Sequence, residues 1–211
     1  MRGGFPIRKE LRNHKGRKDG ARPKQSLRAG LARIVLHRLE RHTPALLTGI
    51  QIQILLNLTA RVFHTPKLSV WRLAPGKALG RYAEFTRQCM AHGGDADRLY
   101  QEAFRLGARL RRITGFTDSA DIERLVFYLY RNLRIEMSGH LPGEVFVRMC
   151  SFSESYTPVH CAMMSNLDSG VMAGLLGGGD LVFTERITEG CEHCAARFME
   201  AHRRPAYAYK P

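Results

Sequence analysis

The sequence predicts an α+β domain: about five helices, then a β-α-β-β module closing on an antiparallel hairpin. Three observations predict it. From residue 29 to 138 apolar residues recur at helical spacing between Asp, Thr and Pro caps. After Gly139 the period shortens, first in Glu144–Phe152 and again over Asp180–Met199. At 211 residues and 44% hydrophobic content, the chain supports one sizeable core and has no internal linker that forces a cut beyond residue 43.

Leu27 to His42 carries Leu27, Leu31, Ile34, Val35 and Leu39 on one face and basic residues on the other, an amphipathic helix. Thr43-Pro44 supplies a cap and a proline at the first helical position, and Thr65-Pro66 stops that second helix near His64. It is apolar on most sides, so a central place is expected. A loop from Lys67 to Gly76 holds the only tryptophan, Trp71. Lys77–Met90 reads as a third helix. Asp95 caps a fourth over Ala96–Ile113, and Thr117-Asp118-Ser119 caps a fifth over Ala120–Arg134. Tyr128 and Tyr130 cannot share one face of that helix, so at least one is expected to point away from the core. Thr157-Pro158 opens a helix from Val159 to Leu176, and Gly177-Gly178-Gly179 ends it as a C-cap and connector. Asp180–Ile187 and Cys191–Met199 then pair across a short Thr-Glu-Gly turn.

The net charge of +14 is unevenly spread. Residues 1–42 hold 13 Lys/Arg against 3 Asp/Glu, and residues 43–211 hold 20 against 16. Residues 1–28 therefore read as a basic, disordered arm ahead of a single domain over 29–211, helical to 138 and β-α-β-β from 139 to 200. Such an arm makes a weak electrostatic contact with nucleic acid or anionic lipid, or is merely solvated. It has no interleaved aromatics for base stacking. No secretory signal is visible, and Gln51, Gln53, Asn57 and Arg61 interrupt the most hydrophobic segment, so no membrane span is expected. A cytoplasmic, reducing compartment is the expectation, with the cysteines as thiols or ligands rather than disulfides. Oligomeric state is not legible.

Four of the five cysteines lie in the last third: Cys150, Cys161, Cys191 and Cys194. Converging, they supply the soft ligands of a zinc or iron–sulfur site, with His160 and His193 nearby in sequence. That reading is not the favoured one. In a regular strand Cys191 and Cys194 face opposite ways, and no second Cys-x-x-Cys is present. The alternatives are small buried thiols or thiol chemistry. Asp168 lies seven residues after Cys161, on the same helix face. Buried, it would act as a general base; otherwise it is a surface or capping carboxylate beside Ser165 and Ser169. Glu185 and Glu189 flank the hairpin turn, where Glu185 and Arg186 also read as a cross-strand ion pair.

Two passages carry a resemblance. Cys150-Ser151-Phe152, then Cys161 and Asp168, then Phe183-Thr184-Glu185-Arg186-Ile187-Thr188-Glu189-Gly190 with Cys194 and Phe198, resemble the C-terminal half of the L-2-amino-thiazoline-4-carboxylic acid hydrolase family. The match spans roughly residues 145–199, and Gly190-Cys191-Glu192-His193 and Ala195-Ala196 depart from the family phrase. The layout is also similar to four-vinyl-reductase-type ligand-binding domains, which bind small molecules. The first resemblance implies ring opening of a cyclic thio-amidine by water. Cys161, or a water held by Asp168, would attack; His160, His193 or Glu185 would donate a proton. Cys150, Arg186, Glu189 and Cys194 would bind the substrate.

Overall fold

The structure of the protein, a computed structural model, describes residues 23–42 and 44–199. Helices α1 (Pro23–His42), α2 (Pro44–Val62), α3 (Pro75–Ala91), α4 (Ala96–Thr114) and α5 (Ser119–Asn132) come first. Strands β1 (Ile135–Gly139) and β2 (Glu144–Cys150), helix α6 (Pro158–Leu176) and strands β3 (Asp180–Glu185) and β4 (Cys194–Met199) come after them. The class is α+β, and the β3–β4 hairpin ends a four-stranded antiparallel sheet of order β1-β2-β4-β3. The expected caps form: the carboxylates of Asp95 and Asp118 accept from the Arg98 and Ala120 amides, and the Thr157 hydroxyl accepts from that of His160. Gly177 ends α6 in the left-handed region at φ 93°.

The structure departs from the sequence reading at four places. Residues 23–28, read as part of the arm, form the first turns of α1. The rest of the arm, and Thr43 as a cap, lie outside the described residues. The fifth helix, read to Arg134, stops at Asn132, and residues 135–138, placed in the helical region, belong to edge strand β1 paired with β2. Arg134, at φ 55°, makes the sharp change of direction. Tyr128 and Tyr130 are both buried, because α5 is covered on two sides, by α1 and α2 and by β1 and α6. Finally, β3 and β4 are joined not by a tight turn but by Arg186–His193, which includes a short 3₁₀ turn over Ile187–Glu189.

Helix α6 positions everything else. Its residues from Met163 to Leu175 are almost all buried. One face meets α4 at a distance only glycine allows. A Cβ on Gly170 would lie 2.4 Å from the Tyr100 carbonyl oxygen, and one on Gly174 would lie 2.3 Å from that of Phe104. Gly107 of α4 is closed in the same way by the Val171 carbonyl oxygen at 2.2 Å. This seam sets α6 close to α4 and leaves its opposite face to the sheet. Ser169 ties α6 to β3, accepting the Leu181 amide at 2.8 Å and donating to Asp180.

No single described helix is long and apolar enough to cross a membrane.

Candidate functional site

The sheet's inner face alternates as a half-buried sheet should. Val145 and Val147 of β2, Cys194, Ala196 and Phe198 of β4, and Leu181 of β3 point to the core. At one end the alternation is broken twice. Glu136 pairs with Met149 while Met137 pairs with Val147, so Arg148 is an extra residue. Phe183 pairs with Ala196 while Glu185 pairs with Ala195, so Thr184 is another. Each bulge resets the inward–outward phase of the residues after it. Arg148 and Met149 face outward, and Cys150 packs inward. Thr184 and Glu185 are exposed, and Arg186 turns in, with its guanidinium carbon 5.2 Å from the centre of the Phe183 ring. Both bulges lie at the end of the sheet where β2 finishes and β4 begins.

That end faces the side of α6 opposite the glycine seam, where Cys161 and Asp168 sit. Asp168 Oδ1 accepts a hydrogen bond from the Tyr130 hydroxyl at 2.6 Å. Burial raises the Asp168 pKa to about 6, and the Tyr130 bond opposes the rise. The Asp168 charge in turn raises the pKa values of Cys150, Cys161, Cys194, Tyr130, Tyr156 and Tyr82, so all of these lie within its electrostatic reach. Asp168, Cys150, Cys161, Arg186 and Thr188 nonetheless keep part of their surface open. These partly open groups border the space between α6 and the bulged end of the sheet, called the recess below.

The wall behind this recess is aromatic. Phe152 stacks on Tyr156 at 5.5 Å and meets Tyr82 edge-on at 5.9 Å. The Tyr156 hydroxyl shares a 2.7 Å bond with Thr86. On the sheet side two polar groups are buried without a hydrogen-bond partner, Arg186 Nε and the Thr188 hydroxyl. The Thr188 hydroxyl approaches the Cys161 thiol closely enough to moderate its pKa, but does not reach normal bonding geometry. Orphaned donors of this kind mark the place where a ligand or water completes the structure.

The thiols are not activated. Burial pushes Cys150 up to about 12 and raises Cys161 and Cys194, with the Arg186 charge pulling back on the last two. A thiol held protonated is a poor nucleophile. Cys194 Sγ accepts the Ile187 amide at 3.4 Å, which fixes the loop before β4. The four-cysteine ligand set is not assembled: among the described residues no group of three or more His, Cys, Asp or Glu side chains can hold a metal ion. Cys191, read as the start of the last strand, lies instead in the β3–β4 connection, where its amide bonds the Arg186 carbonyl oxygen at 3.3 Å.

The remaining candidates fall outside the recess. Glu185 is exposed and pairs with His193 at 3.4 Å, not with Arg186. Glu189 is exposed and holds Arg186 Nη1 at 3.3 Å from the rim. His160 is turned toward Thr157, 2.7 Å from its hydroxyl, and toward the Tyr156 ring. None of the three proposed proton donors faces Asp168. Sequence reasoning missed Tyr130, Tyr82 and Thr188. Only Tyr130 offered a signal, as a second tyrosine on a helix whose visible apolar face could not hold both. No protein-family model matches the chain, and no curated protein matches it either.

Proposed function

We propose that the protein binds a small zwitterion in the recess between α6 and the bulged end of the sheet. Two observations carry it: the Asp168 carboxylate on α6, its pKa pushed up by burial and its oxygen held by Tyr130, and Arg186 Nε on the sheet side, buried without a hydrogen-bond partner. A molecule with a carboxylate and a protonated amine or amidine complements both, giving Asp168 a cation and Arg186 Nε an acceptor beside the one Glu189 gives Nη1. The cyclic thio-amidine carboxylate suggested by the resemblance has this form. Tyr130 holds the Asp168 oxygen in place, Cys150, Cys161 and Cys194 supply a soft, uncharged lining, and Phe152 and Tyr156 close the apolar side.

Binding is favoured over covalent thiol catalysis because the thiols are protonated. A hydrolytic variant of the same reading has one support: a carboxylate with a pKa of about 6 is suited to activating water near neutral pH. Calorimetric titration with 2-amino-thiazoline-4-carboxylate, combined with chromatography for ring-opened product, separates the two. The expected result is saturable binding, weakened by about a hundredfold or more in Asp168→Asn and in Arg186→Gln. Product formation that disappears in Asp168→Asn supports hydrolysis. Binding unchanged in both variants overturns the site.

A further inference from the structure

The first helix is mounted the wrong way round for a soluble protein. Leu27, Leu31, Ile34 and Val35 form one stripe, and they are 68%, 60%, 58% and 54% exposed. An amphipathic helix ordinarily turns such a stripe to the core. Here the inward side is carried by Leu36, Ala29, Ala32 and Leu39. It is also locked by charge. Arg33 Nε lies 2.8 and 2.9 Å from the two Asp121 oxygens, and Arg124 Nε lies 2.9 Å from Glu40 Oε1. Both pairs bind α1 to α5 from the side opposite the stripe, so the stripe is held outward rather than left out by chance.

The charges on the outward side are all of one sign. Arg28 flanks the stripe, and Arg38 and Arg41 continue it one and two turns beyond Ile34. All three are exposed and, among the described residues, have no acidic partner. Glu40, the only acidic residue of α1, is consumed by Arg124. Residues 1–22 add 8 Lys/Arg against 2 Asp/Glu ahead of the helix.

We propose that this face of α1 docks on an anionic lipid bilayer, lying in the plane of the interface. The four aliphatic side chains enter the headgroup boundary while the arginines reach up to the lipid phosphates. Charge argues against the other occupants. A second copy would set arginine against arginine, and the chain's own residues 1–22 carry the same sign as the face. Nucleic acid would satisfy the arginines but leaves the aliphatic stripe in water, and the stripe has no aromatic side chain to stack on a base.

Flotation of the full chain with vesicles of phosphatidylcholine, with and without phosphatidylserine, tests this. Binding is expected only with phosphatidylserine and should weaken as salt rises. Leu31→Ser with Ile34→Ser should lower it about tenfold or more while the thermal melt is unchanged, since both side chains are already exposed. Arg38→Gln with Arg41→Gln should lower it about twentyfold. Three results overturn the proposal: no binding to anionic vesicles, binding indifferent to the Leu31/Ile34 pair, or a concentration-dependent dimer abolished by that pair. Salt-sensitive binding of DNA or RNA, with no vesicle binding, assigns the arginines to nucleic acid and overturns it equally.

Discussion

Helix α6 has two working faces, and they are built on opposite principles. Against α4 it is stripped to Gly170 and Gly174, so that backbone meets backbone and no side chain intervenes. Against the sheet it carries Cys161 and Asp168, and the sheet answers with two bulges after which Cys150 and Arg186 turn inward. The seam gives its space to contact; the recess keeps polar groups imperfectly satisfied. The same helix is thus a rigid mount on one side and carries a buried carboxylate on the other, held in position by Tyr130.

The largest effect should come from breaking the seam. Gly174→Ala sets a methyl 2.3 Å from the Phe104 carbonyl oxygen and 2.6 Å from the Ala108 amide, both backbone atoms that cannot swing aside. A loss of about 3 kcal/mol or more in urea denaturation is expected, enough to unfold a marginal domain. Cys161→Ser, on the opposite face, is expected to cost less than about 2 kcal/mol.

The recess should show the reverse sign. The Asp168 pKa is raised, from an ordinary 3.8 to about 6, so the folded state holds its proton more tightly than the unfolded chain does. Below about pH 4 both states are protonated and no cost is felt. As pH rises through 6 the unfolded state gains, and the stability lost approaches about 3 kcal/mol. Asp168→Asn removes that dependence and keeps a carbonyl oxygen for Tyr130. The variant should therefore melt higher than wild type at pH 8, by several degrees (about 4–8 °C per kcal/mol in a small domain, less in a larger one), while losing the ligand. A variant that melts lower at pH 8 and equally at pH 4 would mean the carboxylate is stabilising and the recess is misread.

Smaller effects separate the recess from its rim. Cys150 should alkylate with iodoacetamide at neutral pH far more slowly than free cysteine, by about a thousandfold if thiolate supply governs the rate. Rapid labelling would show an activated thiol and revive covalent catalysis. Glu185→Gln breaks only an exposed pair with His193, so stability should change by less than about 1 kcal/mol and ligand affinity not at all.

The helical half was legible because its signals are local. Asp95, Asp118 and Thr157 cap where their short polar side chains predict, and Gly177 stops α6. Cys161 and Asp168 were legible as a pair, since seven residues return to one helix face. Edge strand β1 was not: it begins only two residues after α5, and Ile135-Glu136-Met137 reads equally well as one more helical turn. The apolar stripe of α1 was legible but its direction was not, because Arg33–Asp121 and Arg124–Glu40 join positions some 85 residues apart. Tyr130 escaped because a buried tyrosine announces nothing until its partner on another helix is known. Glu185, Glu189 and His160 were drawn in by proximity along the chain, and the bulge at Thr184 and the cap at Thr157 turn them aside.

The two extra residues, Arg148 and Thr184, also bear on how such a protein diversifies. Each absorbs a one-residue offset, so the hydrophobic alternation of Val145, Val147 and Leu181 stays in step regardless of the residues beyond the bulge. Descendants gaining or losing a codon at either spot would keep their interior and exchange the side chains that front the hollow. Fixed spacings between Cys150, Cys161 and Cys194 would be among the first signatures to fray.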